Sequence, residues 1–262
     1  MKQRVITATI ALIIFIPIIF FGGIYIDIAA AVLALVALSE VFIMRKRIIV
    51  SPDATIAGLA VLSLASPKGA FNWLPAGVSQ FDLFYFFVAI LLAITVFTKN
   101  RVNFDDMGVT TLASLYIGLG FHYLSATRNI GGFDTVMYIL LVIWMTDIGA
   151  YTFGRMFGKN KMWPAISPNK TWEGSIGGTL SALVVAAIYL NFFPQAYSMP
   201  VMLGLTLIFS IAGQLGDLVE SAYKRYYGVK DSGKILPGHG GILDRFDSML
   251  FVLPLLHLFG MV

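Results

Sequence analysis

The chain has 262 residues, 58 % of them hydrophobic and 12 % charged, with a formal charge of +4 and no cysteine. A soluble domain is usually about a quarter charged, so this composition excludes an ordinary water-soluble fold. The apolar residues run from end to end and leave no stretch polar enough for a separate soluble domain. The missing cysteines exclude a disulfide framework, a thiolate zinc site and a cysteine nucleophile.

The expectation is a single membrane domain over 1–262, all-α, with N-terminal helices in 1–134 and a second half, 135–262, of helices and cytoplasmic loops that carries the chemistry. Lys2 and Arg4 precede an apolar run as they would in a signal peptide. No small-residue cleavage region follows Phe20, so a retained first helix is predicted over 5–21. Apolar segments of about 20 residues, the length that spans a bilayer, then follow near 24–44, 54–66, 82–98, 109–126, 135–155, 173–193, 200–223 and 246–262, the third of them short. None alternates with period two, which argues against a barrel.

Nine crossings with the N-terminus inside and the C-terminus outside place every Lys and Arg on the cytoplasmic side except Lys68 and Arg128. Adding or deleting one crossing would scatter them over both faces. Arg45 to Arg47 read as topology-setting charges that attract anionic head groups. No internal repeat is visible, which counts against a secondary transporter.

Ionisable residues in membrane helices are costly and mark function. Three predicted helices bring acids to the inner ends: Asp147 in the sixth, Asp217 and Glu220 in the eighth, Asp244 and Asp247 at the start of the ninth. Asp217, Glu220, Ser221 and Lys224 are spaced by three and four, hence share one helical face. Glu220 reads as the partner of Lys224. Asp217, two turns deeper, needs a cation to relieve its cost.

The segment 230–247 combines four glycines, Lys230, Lys234, His239 and Arg245 with Asp231, Asp244 and Asp247. Glycines let backbone approach an anion and lysines supply point charges for phosphate oxygens. Carboxylates beside such a loop suit Mg²⁺, a hard cation held by oxygen. Composition alone leaves open a flexible basic connection. An earlier loop, 155–174, contains SPNKTWEG at 167–174. Ser167 before Pro168 reads as a turn, and Glu173 suits the first turn of a helix. Lys170 is disfavoured beside a helix N-terminus unless an anion sits there, and a nucleotide phosphate is one candidate. His239 reads as a general base or a hydrogen-bond donor to phosphate, with a loop-fixing backbone hydrogen bond as the alternative.

The segment SAYKRYYGVKDSGKILPGHGGILDRFD at 221–247 resembles the signature of phosphatidate cytidylyltransferases, also called CDP-diacylglycerol synthases. DIGAY at 147–151, FGK at 157–159, SPNKTWEG at 167–174 and GQLGDLVES at 213–221 extend the resemblance. It departs at Tyr223 and Ile148, neither of which removes a charged group.

The resemblance implies transfer of CMP from CTP to phosphatidate, with Mg²⁺ on Asp217, Asp244 and the neighbouring Asp247. Asp217, Asp244, Lys224, Arg225 and His239 would be catalytic. Ser167, Lys170, Lys230, Asp231, Lys234, Gly240, Gly241, Arg245 and Asp147 would bind CTP or the phosphatidate head group. It implies an inner-membrane enzyme with its site facing the cytoplasm, in contact with membrane lipid and without a nucleic-acid partner. A second, monovalent cation and a homodimer fit the same picture. The rival readings are a CTP-dependent polyprenol or dolichol kinase and an ion-coupled transporter that uses Asp147 and Asp217.

Overall fold

The computed structural model describes residues 2–75 and 77–262. The side chains of Lys2, Arg4 and Lys68, which entered the charge distribution, lie outside the described part. Eight α-helices form in chain order: α1 (Lys2–Phe21), α2 (Ile24–Met44), α3 (Pro52–Ala65), α4 (Gln80–Phe97), α5 (Phe104–Phe157), α6 (Trp172–Phe192), α7 (Met199–Tyr226) and α8 (Leu243–Leu258). A 3-10 turn, Lys68–Phe71, precedes α4, and two strands, β1 (Lys161–Trp163) and β2 (Ser167–Thr171), lie between α5 and α6.

Each predicted segment has a helix. The fifth and sixth are the two arms of α5, whose 54 residues are broken at Gly132 (φ 82°), a left-handed conformation that glycine adopts without a Cβ clash. Among the described residues, α2, α4, α5, α6 and α7 are long and apolar enough to cross a membrane, while Thr9–Phe21 and Pro52–Ala65 are shorter apolar helices. Local chemistry sets several boundaries. Ser79 and Asp82 form a capping box at α4, Pro52 opens α3, and Thr171 Oγ1 accepts from Gly174 N at 3.1 Å to cap α6.

The chain divides into two compact units. The first comprises Met1–Asn129 with Asp231–Leu243. Here Ala30, Ala34 and Ala37 of α2 and Ala57 and Ala60 of α3 are fully buried, small residues that let helices approach without lipid between them. Ala60, Leu64 and Phe84 form a core cluster with Leu115 and Leu119 against it. Arg45 and Arg47, read as topology-setting charges, also have an internal partner: their guanidinium groups reach Asp106 at 2.7 and 2.9 Å.

The second unit comprises Ile130–Lys230 with Asp244–Val262. A Cβ on Gly178 would collide with Thr146 O, and one on Gly149 with Ser181 Oγ, so α5 and α6 meet at backbone distance. Thr146, Ser210, Thr179 and Gln214 link α5, α6 and α7 through side-chain hydrogen bonds of 2.8, 3.0 and 3.1 Å. On the other side of α6, Ile176, Leu180, Val184 and Ile188 stand exposed at every fourth residue, an apolar stripe suited to lipid.

Ser167 before Pro168, read as a turn, lies instead in strand β2. It pairs antiparallel with β1, Lys161 opposite Thr171 and Trp163 opposite Ser167, and the turn lies at 164–166. The rings of Trp163 and Trp172 are 5.9 Å apart, tying the hairpin to the start of α6.

Candidate active site

Within the second unit, the C-terminal turns of α7 carry Asp217, Glu220, Ser221, Lys224 and Arg225 on the spacing that the sequence predicts. Gly216 makes the neighbouring approach possible: a Cβ there would stand 2.6 Å from Asp247 O and 3.2 Å from Ser248 Cα, so α8 packs directly on α7. Lys224 Nζ sits between two carboxylates, 2.8 Å from Glu220 Oε2 and 2.6 Å from Asp244 Oδ1. All three side chains are largely buried, at 12 %, 6 % and 6 % exposure. One ammonium for two carboxylates leaves one negative charge over when all three are ionised, and an uncompensated buried charge is costly.

Two turns before Lys224 on α7, Asp217 Oδ2 lies 2.6 Å from Lys170 Nζ, and Ser221 Oγ donates to Asp217 Oδ1 at 3.3 Å. The anion that Lys170 requires and the cation that Asp217 requires are thus each other. Asp147, exposed on α5, feels the charges of Asp217, Lys170 and Arg245. Arg225 Nε donates to Ile166 O at 3.2 Å and so holds the hairpin turn against α7. Ser167 is half-buried in β2, while Lys230 and Arg245 are exposed. Glu173, in the first turn of α6, accepts from Asn160 Nδ2 at 2.6 Å.

The donor set answers whether a divalent cation suits this end of the unit. Glu220 Oε1 is buried without a hydrogen-bond donor, and the Asp247 carboxylate bears on it electrostatically. Among the described residues no three of His, Asp and Glu converge as a ready-made cage. Mg²⁺ typically takes one or two carboxylates and completes its shell with water and substrate phosphates, so the oxygen ligands present fit it. Glu220, read from sequence only as the partner of Lys224, is part of this buried group.

The glycine-rich loop belongs to the first unit. Leu236 and Gly240 form an isolated bridge, and His239 N donates to Leu236 O at 2.8 Å. His239 is half-buried; Asp231 and Lys234 are exposed. Gly241 is buried and packed against a carboxylate absent from the sequence reading, Glu40 of α2. Ser232 Oγ and the amides of Ile242 and Leu243 donate to Glu40 at 2.9, 2.7 and 2.9 Å. The close approach of glycine backbone to an anion does occur here, and the anion is internal. Glu40 had a usable signal, an acid in the second half of a helix that is apolar from Ile28 to Leu38; its main-chain partners have none.

Fold and site together define an all-α membrane protein with a charged, oxygen-rich centre beside a short hairpin. The chain belongs to the cytidylyltransferase family, whose profile matches residues 2–262. It is 48 % identical over 260 residues to a phosphatidate cytidylyltransferase of Staphylococcus haemolyticus. It is 47 % identical over 258 residues to one from Staphylococcus aureus, and in both comparisons 98 % of each chain is covered.

Proposed function

We infer that this chain transfers CMP from CTP to the phosphate of phosphatidate, releasing pyrophosphate and leaving CDP-diacylglycerol in the membrane. The observation that carries the reading is the set of three carboxylates paired with two lysines at one end of the second unit, in a chain whose relatives are named for this reaction.

Phosphatidate carries an anionic phosphate oxygen at neutral pH, so the nucleophile needs no strong base. That oxygen bonds to the α-phosphorus of CTP, the α–β bridging bond breaks, and the electron pair leaves on pyrophosphate. The obstacle is the approach of two polyanions, which fixed positive charge and alignment overcome. Lys170 and Lys224 are suited to this because an ammonium on a four-carbon stem can turn from a carboxylate to a phosphate oxygen. Arg225, and His239 as a hydrogen-bond donor, act on the reacting phosphates. Ser167, Lys230, Asp231, Lys234, Gly240, Gly241, Arg245 and Asp147 bind the two substrates. Asp217, Asp244 and Asp247 would hold Mg²⁺, which when bound neutralises phosphate charge and polarises phosphorus. A monovalent ion as a second cation is compatible with the same carboxylates.

The helices are read as nine crossings of the cell's inner membrane, N-terminus inside and C-terminus outside, with the site at the cytoplasmic surface where lipid and soluble nucleotide both reach it. The reaction requires no nucleic acid, and a homodimer is the proposed assembly. Purified protein given phosphatidate, Mg²⁺ and CTP labelled at the α-phosphate is expected to make a labelled lipid. Label transferred from the γ-phosphate instead would identify a lipid kinase and overturn the reading. A tag at 230–234 is expected to react only from the cytoplasmic side, and labelling from outside would reverse the topology.

A further inference from the structure

Glu40 has no part in the chemistry above, yet it is 1 % exposed, and a buried carboxylate is costly unless hydrogen-bonded throughout. Its acceptors are both used: Ile242 N donates to Oε1, and Leu243 N and Ser232 Oγ donate to Oε2. Leu243 is the first residue of α8. The first amides of a helix have no partner inside it, and a negative charge there is further favoured by the helix dipole. The amides of Ile242 and Leu243, where α8 begins, are therefore held by a carboxylate about two hundred residues earlier in the chain.

The loop is also shaped around this carboxylate. A Cβ on Gly233 would stand 2.7 Å from Glu40 Oε1 and 2.9 Å from its Cδ, with no other residue among its nearest atoms; a Cβ on Gly241 would collide with the same carboxylate and with Ser232 Oγ. Gly233 is not among the glycines with positive φ, so the nearby carboxylate rather than the backbone conformation opposes a side chain there.

Resting on the proposed reaction, we propose that Glu40 is a positioning residue of this enzyme. It touches neither substrate. It holds the path of 232–243, the segment that presents Lys234 and His239 and runs directly into Asp244.

The test uses the full chain in detergent, with activity normalised to folded protein by size exclusion. Glu40→Gln keeps the volume but replaces one acceptor oxygen with an NH₂ group that confronts a donor. Per folded molecule, kcat/KM for CTP is expected to fall about 100-fold, with KM for phosphatidate changed less than about twofold. The Ile242 and Leu243 amides are expected to exchange hydrogen at least about tenfold faster. A folded variant with wild-type CTP kinetics overturns the proposal, however unstable it is.

Gly233→Ala displaces the carboxylate without deleting it and decides the matter if Glu40→Gln does not fold; an expected loss of about tenfold in kcat/KM for CTP supports the proposal, and none overturns it. Where both backgrounds fold, Gly233→Ala should cost much less in Glu40→Ala than in the parent chain, a non-additivity that marks direct contact. Absence of lipid product from the wild-type chain would instead defeat the proposed reaction, while the exchange rates would still report on the Glu40 cradle.

Discussion

Two carboxylate clusters, one in each unit, are satisfied in opposite ways. In the first, Glu40 is held by two main-chain amides and a hydroxyl. In the second, Asp217, Glu220 and Asp244 are held by the ammonium groups of Lys170 and Lys224. Amides at the start of a helix cannot swing away, so the carboxylate they hold has one stable arrangement. A lysine on a flexible stem can exchange partners, and a carboxylate released by it is available to a cation. The difference would separate a scaffolding carboxylate from those assigned to the proposed chemistry, although Glu40, Glu220 and Asp244 are all buried and only Asp217 is partly open.

The largest effect expected from breaking this contrast is at Asp244. Asp244→Asn removes a carboxylate assigned to Mg²⁺ and leaves Lys224 with Glu220 alone; kcat is expected to fall by about 10³ or more, read from labelled lipid formed at saturating CTP. Full activity in this variant and in Asp217→Asn would sink the metal assignment. Next is Lys224→Met, which strands two buried carboxylates. Breaking such a group by removing one partner costs about 3–5 kcal/mol, to be read as a large drop in the thermal midpoint in detergent.

Lys170→Ala is expected to be milder for stability, because its pair with Asp217 is 27 % and 34 % exposed and such pairs contribute about 1 kcal/mol or less. It should nevertheless raise KM for CTP by about tenfold if the ammonium turns to phosphate. A KM unchanged from wild type would return Lys170 to a purely structural role. The smallest effect is expected at Thr171→Val, which removes the cap of α6. This costs about 1 kcal/mol and is visible as a small fall in midpoint with kinetics unaltered.

Most of the helical framework was legible because apolar length and polar interruption are one-dimensional properties. The predicted 24–44 coincides with α2, and the separation of 109–126 from 135–155 became a bend at Gly132. The strand at 167–171 was not legible: it is five residues long, contains Pro168, and gains its identity only by pairing with 161–163. In the site, the Glu220–Lys224 pair followed from its spacing of four. Lys170 with Asp217 did not, since the two lie 47 positions apart, although each had been marked as lacking a counter-charge. Glu40 was missed entirely. Its donors are amides, which every residue but proline has, so no residue type announces them.

The Glu40 contacts carry a further consequence for biosynthesis. They join positions separated by 192, 202 and 203 residues, and the first unit is discontinuous, with Asp231–Leu243 returning to it after the whole of 130–230. At translation rates of about 5–20 residues per second, this separation corresponds to roughly 10–40 seconds. Throughout that interval the nascent α2 holds a carboxylate whose eventual donors do not yet exist. The first unit is therefore completed only after residue 243 has been made, and truncation of the nascent chain before Ser232 leaves this acid without its native partners.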